Sequence, residues 1–88
     1  MIESAVLRHG RVCNLGVGRV AVHFLSNPAL DGEPVRVDLV VVPRNGVERT
    51  LTLREGEQFT VGETAWILEG VENAGTYDYV VRIARAAG

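Results

Sequence analysis

Val35-Arg36-Val37-Asp38-Leu39-Val40-Val41-Val42 runs into Pro43-Arg44-Asn45-Gly46-Val47-Glu48 and then Arg49-Thr50-Leu51-Thr52-Leu53-Arg54. Both arms alternate with period two, the signature of an extended strand with one buried face. Val35, Val37, Leu39 and Val41 share one face; Arg36, Asp38, Val40 and Val42 share the other. That second face begins polar and ends apolar, so Val40 and Val42 are candidate interface positions. Cover on both sides there means a central strand or a subunit contact.

Asn45-Gly46 marks a hairpin, and two loop lengths compete for it. A two-residue loop sets Val41 against Thr50 and Val37 against Arg54. A three-residue loop, Arg44 to Gly46, sets Val37 against Leu53 and Leu39 against Leu51. A one-residue slip reverses every face, so the apolar match favours the longer loop. Gly46 is then expected in the left-handed conformation of a bulge. The same register puts Arg36 opposite Arg54 and Asp38 opposite Thr52. Like charges in direct opposition call for an anion or carboxylate between them. Arg36, Asp38 and Arg54 are therefore a candidate anion or partner contact; a diagonal bridge from Asp38, or splayed strand ends, is the plainer alternative.

Outward from this hairpin the pattern repeats. Ile2 to Leu7 reads as a strand, His9-Gly10 as a turn, and Val12-Cys13 as a brief extended piece. Val17 to Leu25 alternates, with Val20, Val22 and Phe24 on one face. Ser26-Asn27-Pro28 ends it, and a surface loop with Asp31-Gly32 leads to Pro34. After a turn at Glu55-Gly56-Glu57, Gln58 to Val61 points Phe59 and Val61 inward. Ala65 to Val71 carries Trp66 and Leu68 on one face. A hairpin over Glu72 to Gly75 returns through Tyr77, Tyr79, Val81 and Ile83. A four-residue loop there would pair Leu68 with Tyr79 and Trp66 with Val81. The last three residues, 86–88, read as a frayed tail.

Composition agrees. Val, Ile and Thr supply 15, 3 and 5 of the 88 residues, and these stiff β-branched side chains suit a pleated surface. Ten glycines punctuate the chain. The expectation is one all-β domain over residues 1–88. Its architecture is a small antiparallel β-sandwich or partly open β-barrel of about six or seven short strands.

Charge and cysteine content bound the function. A net charge of -2 argues against nucleic-acid binding, which needs an excess of cations. All nine basic residues are Arg, which fits a GC-rich coding sequence. Cys13 is the only cysteine, so no internal disulfide forms, as in a reducing compartment. The N-terminal residues lack a signal-peptide pattern, and no apolar run is long enough to span a bilayer. The cytoplasm is the expected location, with no membrane partner.

Candidate chemistry is sparse. His9, Cys13 and His23 are the soft metal ligands, but they lack the spacing of a zinc site, and Cys13 reads as a small buried hydrophobe. A Cys13–His23 nucleophile pair, in a metalloprotein or enzyme, is the remote alternative. Gly16-Val17-Gly18 begins like a phosphate loop, yet a strand follows where a helix is required. The glycines read instead as relief of crowding at a bend. Glu55 and Glu57 read as a solvated turn. Phe24, Phe59, Trp66 and Tyr79 form either a ligand pocket or core, and the phase of Trp66 with Leu68 favours core. No catalytic residue, metal or cofactor is expected.

Leu51 to Val61, followed by Trp66 to Val71 and Tyr79 to Arg85, resembles the C-terminal half of small uncharacterised all-β proteins from GC-rich actinobacterial genomes. Those are domains of unknown function, so the resemblance implies no activity. The functional expectation is a non-enzymatic interaction or structural module that binds a protein partner or itself as a homo-oligomer. A small-ligand-binding barrel is the alternative.

Overall fold

The computed structural model describes residues 3–26 and 32–86. These residues form eight strands: β1 (Ser4–Arg8), β2 (Val12–Asn14), β3 (Gly18–Leu25), β4 (Arg36–Pro43), β5 (Arg49–Arg54), β6 (Gln58–Val61), β7 (Thr64–Glu72) and β8 (Val80–Arg85). They make two antiparallel four-stranded sheets, ordered β1-β8-β7-β6 and β2-β3-β4-β5. The sheets face each other as a sandwich and do not close into a barrel. The brief piece at Val12–Cys13 is a strand in its own right. Among the described residues no helix is long and apolar enough to cross a membrane.

The β4–β5 ladder has the register that the three-residue loop dictates: Val37 faces Leu53, Leu39 faces Leu51, Arg36 faces Arg54 and Asp38 faces Thr52. β4 is a central strand, between β3 and β5. Gly46 is a correction. It does not adopt the left-handed conformation. What glycine provides there is room, because a Cβ would sit 3.0 Å from Cβ of Pro43.

Between the sheets lies one apolar core. Leu7, Phe59, Val61, Trp66, Leu68, Val81 and Ile83 enter from one sheet; Val20, Val37, Leu39, Val41 and Leu53 enter from the other. Leu15 and Tyr79 plug it from loops, at 3% and 8% exposure. Each such fully buried side chain contributes roughly 1.5–3 kcal/mol of transfer free energy.

Two departures from simple alternation matter. In β3 the pairing shifts between Val22, opposite Leu39, and Phe24, opposite Asp38. His23 is the extra residue of a β-bulge, which reverses the faces beyond it. Leu25 therefore packs on the core, and Phe24, expected inward with Val20, points out at 46% exposure. The second correction concerns the β7–β8 hairpin. Leu68 faces Ile83 and Trp66 faces Arg85, four residues from the expected register. That even slip leaves Trp66 and Leu68 inward; beyond Leu68 a second bulge, with Glu69 as its extra residue, moves the pairing one further, so that Val71 faces Val81 and packs on the core. β8 begins at Val80, and Tyr77 lies in the preceding loop at 82% exposure.

The sheets are tied at their margins. Consecutive strands β5 and β6 lie in different sheets, and the turn between them bonds across: Gly56 N–H to Leu68 O at 2.8 Å, Leu68 N–H to Glu57 O at 3.0 Å. Arg49 Nη2 donates to Thr60 O at 2.9 Å, joining the edge of β5 to that of β6. At Gly18 the backbones crowd: a Cβ would fall 2.7 Å from Val42 O and 2.7 Å from Cγ1 of Val61. Gly18 thus has the crowding role read from the sequence. Ala86, placed in the frayed tail, donates its N–H to Ala65 O at 3.0 Å. Residues 87–88 and the loop positions 27–31 lie outside the described residues.

Candidate functional site

Alternation along the β2-β3-β4-β5 sheet sends half of its side chains away from the core. Cross-strand pairing arranges them in rows. Val12 faces Ala21, Ala21 faces Val40, and Val40 faces Thr50. Asn14 faces Arg19, which faces Val42. Next come Phe24, Asp38 and Thr52, and last Arg36 and Arg54.

Val40 and Val42 are half-buried. With Val12, Ala21, Arg19 and Glu48 they line a shallow depression of about 220 Å³. Val12 is 65% exposed, so an apolar strip crosses this face with Arg19 and Glu48 beside it. Glu48 escaped the sequence reading, although the hairpin register itself sets it opposite Val42.

At the other end of the face the structure gathers the three predicted contact residues and adds Phe24. The Arg36 guanidinium carbon lies 5.8 Å from the Phe24 ring centroid, within cation–π range. Thr52 Oγ1 donates to Asp38 Oδ1 at 2.9 Å. Asp38 bridges to Thr52, not diagonally to an arginine. Among the described residues neither Arg36 nor Arg54 has a carboxylate within ion-pair distance, in contrast to Arg82, which pairs with Glu72. No signal in the alternation announces Phe24 here, because the bulge that turns it has no residue signature.

The proposed pocket set divides. Phe59 and Trp66 pair across β6 and β7 inside the core, and Tyr79 is buried with them. Tyr79 also reaches an open cleft of about 480 Å³ shared with His23, Phe24, Leu25 and Tyr77. His9 lies at its side, tilted against Tyr77 and edge-on to Tyr79, with ring centroids 5.1 Å and 5.7 Å away. Four sequence candidates thus become a core pair, an exposed aromatic, and a tyrosine at the boundary.

Cys13 and His23 are not brought together as a nucleophile pair. Cys13 pairs with Val20 on β2 and packs against the core, whereas His23 is exposed at the bulge. Burial pushes the Cys13 thiol pKa up, the reverse of what a thiolate nucleophile needs. Burial raises the Tyr79 phenol likewise. Among the described residues no group of three His, Cys, Asp or Glu side chains is placed to hold a metal ion.

Gly16-Val17-Gly18 leads into β3 as a tight connection. Asn14 Oδ1 accepts from Gly16 N–H at 2.9 Å, and Leu15 N–H donates to Gly18 O at 2.8 Å. Those two N–H groups are already committed, so they do not cradle an anion.

Comparison with curated proteins and with solved structures finds no match. A protein-family model does match, over residues 2–87, well beyond the half of the chain that carries the resemblance noted above. The chain belongs to DUF6406, a family of unknown function.

Proposed function

We propose that this chain is a non-enzymatic, cytoplasmic β module that presents the outer face of the β2-β3-β4-β5 sheet to a protein partner bearing carboxylates. The observation that carries this reading is the β3 bulge, which holds Phe24 half-exposed beneath the Arg36 guanidinium. A solvent-facing aromatic joined to an arginine is the composition of an interface anchor. Charge supports the acidic partner: Arg19, Arg36 and Arg54 are offset on this face by Asp38, already bonded to Thr52, and by Glu48. The apolar strip through Val12, Ala21 and Val40 extends the contact surface.

A displayed random-peptide library tests it. Selection on the wild-type domain should enrich acidic peptides, with binding that weakens as salt rises. Phe24→Ser combined with Arg36→Glu should reduce their affinity about tenfold or more. Peptides without acidic bias, or binding indifferent to both substitutions, would overturn the reading.

A further inference from the structure

The two sheets have four edge strands, β1, β2, β5 and β6, and β5 is the longest at six residues. Its main chain has a definite orientation. Arg54 N–H donates to Glu57 Oε1 at 2.6 Å, and Arg54 C=O accepts from Glu57 N–H at 3.1 Å. Both groups therefore point away from β4. On the other side Arg36 C=O accepts from Ser26 N–H at 2.9 Å, and Arg36 N–H donates to Ser26 Oγ at 2.8 Å, both away from β5. Arg36 and Arg54 are thus a non-hydrogen-bonded pair, and the pattern alternates along the ladder. Thr50 and Thr52 consequently turn their N–H and C=O groups to the open edge, while Leu51 and Leu53 bond to β4. Glu57 stops the open stretch at one end.

We propose that two copies of this chain pair antiparallel along β5, with Thr50 opposite Thr52 of the second copy; Glu57 already holds the Arg54 main chain, so Glu48 of the second copy meets Arg54 through its side chain alone. Positions 50 and 52, and 48 and 54, share the midpoint Leu51, so a single two-fold axis satisfies all of them. Four main-chain hydrogen bonds form between the threonines. Threonine pairs line the outer face, a favourable cross-strand combination. The half-buried Leu51 meets its own copy on the inner side. The Glu48 side chain reaches the Arg54 guanidinium, which has no ion-pair partner among the described residues of its own chain, twice per dimer. Moving the register by two residues loses that charge match. Moving it by one sets outward groups against inward ones. The result is one continuous sheet of twice four strands.

This inference goes beyond the partner-face reading; it shares Arg54 and Glu48 with that face but rests on the open main chain of β5. Sedimentation velocity on the full chain, from low to high micromolar, tests it. The wild type should rise from 9.5 kDa toward twice that mass. Glu48→Arg and Arg54→Glu should each weaken the dimer about tenfold or more, and the double reversal should restore it to within a few-fold. Thr52→Pro removes an N–H that faces solvent in the single chain; it should give a monomer with an unchanged circular dichroism spectrum. Phe24→Ser with Arg36→Glu should leave the dimer intact, so its failure and that of the partner-face reading are told apart. A wild type that stays monomeric throughout, or a dimer indifferent to each single reversal, would overturn the proposal.

Discussion

Phe59 and Trp66 face each other across the β6–β7 pair, and both are buried, at 6% and 1% exposure. This aromatic pair anchors one side of the core, and Trp66 Nε1 has no hydrogen-bond partner among the described residues. Trp66→Ala should cost about 3–5 kcal/mol, a large share of what a domain this size possesses. Trp66→Phe removes the orphaned N–H, whose burial costs about 1–3 kcal/mol, and that relief offsets the smaller ring. Its net cost should stay below about 1.5 kcal/mol. Urea midpoints of the two variants decide the matter; equal losses would show that the indole N–H is satisfied in solution.

Phe24 and Leu25 are adjacent, yet the bulge separates their fates. Leu25→Ser exposes a side chain packed on the core and should cost about 2 kcal/mol. Phe24→Ser alters an outward ring and should cost less than about 1 kcal/mol. Thermal melts that ranked the two in the opposite order would mean that β3 runs without its bulge.

Gly18→Ala forces a methyl against Val42 O, a main-chain atom that cannot step aside cheaply. A loss of about 1–3 kcal/mol follows. Calorimetry showing an unchanged melting temperature would contradict the close approach of β3 to β4.

Burial raises the Cys13 and Tyr79 pKa values, so the folded state holds these protons more tightly than the unfolded chain. Their effect on stability is constant below the ordinary thiol value of about 8.5. Above it the unfolded chain ionises first and stability falls, until the folded-state groups titrate too. Cys13→Ala should flatten the first part of that alkaline decline. Denaturant titrations at neutral and alkaline pH check this, and a decline unchanged by the substitution would place the cause elsewhere.

How far the sequence carried this reading depends on the kind of information each element holds. The pairing of Arg36–Val41 with Arg49–Arg54 was legible, since only one loop length matched apolar with apolar, whereas the conformation of Gly46 in the turn was not. Phe59, Val61, Trp66 and Leu68 declared their burial by phase alone. The β7–β8 register was not legible, because pairings four residues apart present identical faces at Trp66 and Leu68 and the bulge at Glu69 absorbs the odd residue beyond them. Phe24 was invisible for another reason: a bulge at His23 is fixed by the pairing with β4, which no local pattern encodes. The arginine pair was foreseen as opposition, but the acceptor for Thr52 and the ring beneath Arg36 required coordinates.

The pairing of β1 with β8, Ser4 beside Ala84, has a consequence for the order in which the molecule assembles. Strands β2 to β5 follow one another in sequence and in space, so each pairs with its neighbour in the chain across a connection of ten residues or fewer, at modest closure entropy. β1 has no such neighbour: the strand that receives it is β8, the last of the eight described. Leu7 therefore gains its strand partner, Val81, only through a contact of long sequence separation, the kind that slows folding.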